Sequence, residues 1–261
     1  MKKDRMGCKR MVSCLLVIFC FCLTACGAEE GEADRQTPEK AMETAMESVQ
    51  VLDLDTFNKC TDNYVKTYKN WLGIPTEREY QIFNELQQPG IKKGRKYKAN
   101  KRFAEAVVRN LTWEIKEVQE EEEQAQITVE ITNTDMSDAM GKYLIHLMEG
   151  LVNSEGTGIK QLIEDLAEID YDKRGIALYV EEAEGSYSQV VTVTAKKEQG
   201  AWKIQLNDAF INAVMGNLDA EEYSQEVQGR LDELEHEYEE KMDQWGEEFE
   251  DKVENWVERV F

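Results

Sequence analysis

The stretch SQVVTVTAKKEQGAWKIQLND, Ser188 to Asp208, carries the reading of the fold. Glu198-Gln199-Gly200 is a turn signal between two extended runs. In the second run Trp202, Ile204 and Leu206 alternate with polar neighbours, so one face is apolar and the other wet. An earlier pair repeats the pattern. LTWEIKEV places Leu111, Trp113 and Ile115 on one face. AQITVEITNTD places Ala125, Ile127, Val129 and Ile131 inward, and the polar turn QEEEEQ (119–124) joins the two runs. Two antiparallel hairpins, each with one buried face, are the minimum for a sheet packed on helices.

Helical spacing surrounds these hairpins. Thr37 is a candidate N-cap, Pro38 the first helical position, and Glu39 suits the positive end. Ala41, Met42, Ala45, Met46 and Val49 then form a stripe at helical spacing. DLDTFNKCTDNYVKTYKNWLG (53–73) reads as a second helix, stopped by Gly73 and Pro75, and TEREYQIFNELQQPG (76–90) as a third. Between the hairpins, MSDAMGKYLIHLMEGLV and GIKQLIEDLAEI form a helical insert at about 136–170. GIALYVEEA (175–183) reads as renewed strand. The expected class is α+β: N-terminal helices, an antiparallel sheet, a helical insert and a long C-terminal amphipathic helix.

That last helix spans 219–261, with Asp219 as its expected N-cap. Val227, Leu231, Leu234, Tyr238, Met242, Trp245, Phe249, Val253, Trp256 and Val260 recur at spacings of four, three and four. An eleven-residue repeat gives about 3.67 residues per turn, close to a straight helix. The segment holds seventeen acidic and four basic side chains, which disfavours a membrane surface. The stripe is expected to dock on its own domain, with acidic flanks near the basic segment at 92–102. Self-association or a partner helix is the other reading.

The front end gives an address. Residues 1–25 carry five basic and one acidic side chain, and a short apolar run follows from Met11 to Ala25. Such a run is too short to span a bilayer of roughly 30 Å. It has the layout of a secretory signal peptide. Leu23-Thr24-Ala25-Cys26 resembles the lipobox of bacterial lipoproteins. The resemblance implies cleavage before Cys26, a diacylglyceryl thioether on its sulfur, and attachment to the extracytoplasmic face of the cell membrane. Residues 26–37 contain no large apolar side chain and read as a flexible tether, leaving 38–218 as the folded domain. Four of the other five cysteines precede Cys26, so only Cys60 remains beyond it and no disulfide framework is expected.

The formal charge of −22 excludes nucleic acid as a partner on electrostatic grounds. Within this acidic chain, Lys92, Lys93, Arg95, Lys96, Lys98, Lys101 and Arg102 cluster in eleven residues. Two readings stand: a docking patch for an anionic polymer or partner, or a solvated stretch that pairs with the protein's own acids. His146 and His236 are far apart in sequence, and no Walker, G-x-S-x-G or G-x-G-x-x-G pattern occurs, so neither cofactor nor metal is expected. His146, in YLIHLM, is expected to be a buried imidazole.

Helices followed by antiparallel hairpins, through TPEKAMETAMESVQVLDLDTF, LTWEIKEV, AQITVEITNTD and VVTVTAKKEQGAWKIQL, resemble the nuclear transport factor 2-like fold. They also resemble small exported lipoproteins of Gram-positive bacteria with domains of unknown function. The resemblance implies a curved sheet wrapping a helix around a conical pocket. Trp113, Trp202, Ile127 and Val129 would then line a site for a small apolar ligand, or else form plain core. It implies an extracytoplasmic binding module, an isomerase- or dehydratase-like enzyme, or a solute receptor.

Overall fold

The computed structural model describes residues 37–89, 94–153 and 173–260. The expected signal peptide, Cys26 and residues 27–36 of the expected tether lie outside the described residues, as do Lys92, Lys93 and the GIKQLIEDLAEI part of the expected insert. The chain is α+β with antiparallel sheets. Helix α1 (Pro38–Gln50) starts as its capping chemistry dictates, with Thr37 Oγ1 accepting from Lys40 N at 3.1 Å. Its whole apolar stripe is buried. Asp53 caps α2 (Leu54–Cys60) through Thr56 N.

The second and third helices expected between 53 and 90 are corrected. Only Leu54–Cys60 of that span is α-helical; β1 (Tyr64–Lys69) and β2 (Pro75–Tyr80) follow as an antiparallel hairpin, then a 3-10 turn at Asn84–Gln87. YVKTYK is rich in aromatic and β-branched residues, which favour a pleated strand over a helix. Asn70 to Ile74 then makes the turn, with Gly73 at φ 77°.

Helix α3 (Arg95–Val108) leads into β3 (Thr112–Glu120) and β4 (Gln124–Asn133). Helix α4 (Ala139–Val152) follows, then α5 (Arg174–Glu181), β5 (Tyr187–Glu198) and β6 (Ala201–Gln205). The strand expected at 175–183 is therefore a helix. Ile176, Ala177 and Val180 are its buried residues, at helical spacing, while Leu178 is exposed. The sheet order is β3-β4-β5-β6, all antiparallel, and α1 packs on β6, β3 and β4. A parallel bridge between Thr61 and Ile204 ties the segment before β1 to β6. The inward sets of both hairpins fill the core beneath α1: Ala125, Ile127, Val129, Ile131, Trp202, Ile204 and Leu206 are buried. Trp113 and Ile115 are half-buried against the same cluster, and a register shift between Ile115 and Glu117 moves β3 off strict alternation.

After β6, α6 (Asp208–Val214) ends in a tight turn where Gly216 has φ 62°. A Cβ there would also collide with the Thr134 carbonyl. The last helix, α7, runs Gln225–Val260. Asp219 is not its cap: residues 219–223 are turn and bend, and the Ser224 hydroxyl accepts from Val227 N at 3.4 Å. Ser224 N in turn donates to Asp138 Oδ1 at 2.7 Å, which seats the helix start against α4. Gly141 permits that approach, because a Cβ there would strike Val227. Val227 and Leu234 are buried, Arg230 pairs with Glu149 at 3.0 Å, and Lys241 Nζ donates to the Val152 carbonyl. The first half of α7 thus docks on α4, within the chain. Docking within the chain is what the sequence leads one to expect; of the basic segment, Arg102 takes Glu181 of α5 as its partner. The stripe from Met242 onward lies outside the described side chains.

Leu234→Asp should detach α7 while the sheet domain stays folded, since a buried carboxylate without a partner is costly. Hydrogen exchange should then show loss of amide protection in 225–241 with that of β4 and β5 unchanged. Unchanged protection in 225–241 would contradict this packing.

Candidate functional site

A polar cleft of about 380 Å³ opens beside the β1–β2 hairpin. Its walls come from four places. The α1–α2 turn contributes Leu52, Asp53, Leu54 and Asp55. Strand β2 contributes Arg78 and Tyr80, the 3-10 turn Leu86 to Pro89, and α3 Tyr97 and Lys101. Leu52 sits at φ 57°, a left-handed conformation that sharpens the turn and places Asp53 at the cap of α2. Hydrogen bonding from Thr56, by its side chain and then its backbone N–H, holds the Asp53 carboxyl below its usual range. Gln87, behind the cleft, belongs to a chain of amides. Asn58 Nδ2 donates to Gln87 Oε1 at 2.6 Å, and Asn63 Nδ2 donates to Asn58 Oδ1 at 2.7 Å. This chain fixes the 3-10 turn against α2 and the foot of the hairpin.

The lining brings together two carboxylates, a guanidinium, an ammonium and two phenols. No Ser, Cys or His is among its lining residues. The chemistry on offer is hydrogen bonding and charge pairing toward a polar ligand that carries both signs.

A second, shallower cleft lies on the other side of α3, lined by Arg102, Glu105, Ala106, Arg109, Glu181 and Glu182. Arg102 binds both Glu181 oxygens there, which lowers the Glu181 pKa and raises that of Arg102. The basic segment is thus divided. Lys101 faces the first cleft and pairs with Glu105 at 2.9 Å; Arg102 pairs with Glu181; Arg95 and Lys98 are exposed at the start of α3. Lys96 is half-buried and has a partner.

The residues expected to line an apolar pocket are elsewhere. Ile127, Val129 and Trp202 are fully buried in the core and Trp113 is half-buried beside it; neither cleft includes any of them. Side chains interdigitating at close-packed density occupy the sheet's inner face. His146 was expected to be buried but is exposed on α4, 6.3 Å from the Tyr179 ring. It shares one face of the helix with Lys142 and Glu149, at helical spacing, while the Tyr143 side reaches the core. His236 is exposed and lies 3.6 Å from Glu240 on α7. Cys60 is buried, and burial pushes its thiol pKa up, the mark of an inert residue. Among the described residues no group of three or more His, Cys, Asp or Glu is placed to hold a metal ion.

Sequence reasoning missed Asp53, Asp55, Arg78, Tyr80 and Tyr97 as one site. They come from three separate parts of the chain, and only folding brings them together. The usable signal was the strand character of YVKTYK, which places Arg78 and Tyr80 on the return strand of a hairpin. Compared with protein-family models, curated proteins and solved structures, the chain shows no match.

Proposed function

We propose that this chain is a lipid-anchored, extracytoplasmic binding protein, held to the membrane through Cys26, with a cone-like nuclear transport factor 2-like domain and an amphipathic C-terminal helix. The observation that carries the binding role is the polar cleft between Asp53, Asp55, Arg78, Tyr80, Tyr97 and Lys101. Its mixed charge suits a small polar or zwitterionic ligand, in place of the apolar one that the sequence suggested. The packing favours binding over the isomerase- or dehydratase-like alternative. Such an enzyme needs an ionisable group facing a cavity within the sheet, and that face carries Ile127, Val129, Ile131, Trp202 and Ile204, all buried.

Two measurements test the two halves of the proposal. Native mass spectrometry of the protein purified from its source should show a small molecule retained by the parent chain and lost in Arg78→Ala and Lys101→Ala. Retention unaffected by both substitutions would remove the cleft from the proposal. Metabolic labelling with a fatty-acid probe should mark the parent and not Cys26→Ala. Equal labelling of both would remove the anchor.

A further inference from the structure

The β1–β2 hairpin ends in a turn whose sequence is Asn70-Trp71-Leu72-Gly73-Ile74-Pro75. Trp71 is 90% exposed, Leu72 59% and Ile74 54%, among the most exposed large apolar side chains described. Three of them on one turn form a contiguous patch, which soluble surfaces seldom carry without a use.

Four of the five backbone N–H groups from Asn70 to Ile74 donate within the turn. Asn70 N donates to the Ile74 carbonyl at 3.0 Å and Gly73 N to the Asn70 carbonyl at 2.9 Å. Asn70 Oδ1 accepts from both Leu72 N and Ile74 N, each at 3.0 Å. Pro75 has no N–H to satisfy. Backbone donors that find partners inside the turn remove the main cost of entering a medium without water. No charged side chain occurs from Asn70 to Thr76. Lys69 stands at the last rung of the ladder, opposite Pro75. Further back, Tyr64, Tyr68 and Tyr80 form an aromatic collar; Tyr64 and Tyr80 pack edge to face at 5.6 Å, and the Tyr68 hydroxyl donates to Glu79. Residues 64–80 carry three basic and two acidic side chains, so the hairpin escapes the negative charge of the rest of the chain.

We propose that this turn contacts a lipid bilayer, seating Trp71, Leu72 and Ile74 below the headgroups, with Lys69 and Tyr68 at headgroup level. An apolar tip, an aromatic belt and a flanking cation are what an interfacial lipid contact requires. A second copy of the chain adding a strand is the less favoured occupant, because the outer edge of β2 is already taken and a strand laid along β1 would leave the apolar tip uncovered. Arg78 N donates to Gln88 Oε1 at 3.1 Å, Gln88 Nε2 to the Arg78 carbonyl at 2.7 Å, and Tyr80 N to Asn84 Oδ1 at 3.1 Å. The inference goes beyond the proposed function and does not need the Cys26 anchor, though such an anchor would raise the local concentration of bilayer around the tip.

The test uses the full chain on phosphatidylcholine vesicles, with and without brominated acyl chains, and compares it with Trp71→Phe. Trp71 is exposed, so this substitution leaves folding intact, and the other four tryptophans are common to both proteins. Brominated lipid should quench part of the parent emission, and Trp71→Phe should lose most of that quenching. The triple variant Trp71→Ser, Leu72→Ser, Ile74→Ser, made with Cys26→Ala, should bind the vesicles on the order of tenfold less than Cys26→Ala alone. Equal quenching in the parent and Trp71→Phe, or none in either, overturns the proposal. So does a Trp71 emission that shifts with protein concentration and not with lipid, which would assign the tip to a second copy. Loss of fatty-acid label at Cys26 would leave this readout untouched, so the two ideas fail separately.

Discussion

Trp202→Ala should destabilise the domain by about 3–5 kcal/mol, the cost of truncating a large aromatic in a close-packed core. Trp202 is 2% exposed on β6, within the cluster that includes Met42, Met46 and Phe57, and α1 packs across this strand. Its truncation leaves a void bounded by a helix on one side and a strand on the other, which cannot collapse together without breaking the β5–β6 register that runs from Thr194 and Gln205 to Glu198 and Ala201. Urea unfolding should show a lower midpoint with little change in slope. Trp202→Phe should recover part of the loss, because the ring that remains fills much of the same space. A loss below about 1 kcal/mol for the alanine variant would mean that the indole is not a core element.

Asn133→Ala should cost about 3 kcal/mol or more, although it removes only a small side chain. Asn133, the last residue of β4, is buried, and its Nδ2 donates to two backbone carbonyls: Val107 at 3.0 Å and Val214 at 2.7 Å. These lie in the last turns of α3 and α6, where helix geometry leaves carbonyls without intrahelical partners. Its Oδ1 accepts from Thr134 N at 2.8 Å. Alanine would leave three backbone groups without that partner, each worth about 1–3 kcal/mol when buried and unpaired. Asn133→Asp keeps the shape but loses both donors, and at neutral pH it should be at least as damaging. Urea midpoints for both variants within 1 kcal/mol of the parent would show that Asn133 does not carry these helix ends.

The residues that were legible in the sequence share one property: their pattern is local. Ala125, Ile127, Val129 and Ile131 alternate because a strand has a period of two, and burial on one face is the only stable outcome. The stripe and cap of α1 were equally plain, from Thr37 and Pro38 onward. The span 53–90 misled because apolar residues fall at helical spacing through Leu54, Phe57 and Val65, and no strong breaker occurs before Gly73. There the amides of Asn63, Asn84 and Gln88 determine the outcome. They satisfy the backbone of a hairpin foot instead of solvent, and Asn58 holds Asn63 in place, a long-range arrangement without periodicity. GIALYVEEA could pass for either strand or helix, as short apolar runs do, and packing against α3 and α4 settled it.

From residue order alone came the α+β class, the two hairpins of the main sheet, and the inward residues of β4 and β6. These depend on periods of 2 and 3.6, which a linear chain displays directly. Tertiary structure alone determined that Asn133 closes two helix ends, that α7 rests on α4 through Val227 and Leu234, and that Trp71 stands out on a turn. It also gathered Asp53, Arg78, Tyr97 and Lys101 around one cleft. Such features join residues far apart in the chain, and their energies come from desolvation and hydrogen-bond satisfaction in a particular packing. Sequence spacing carries no record of either.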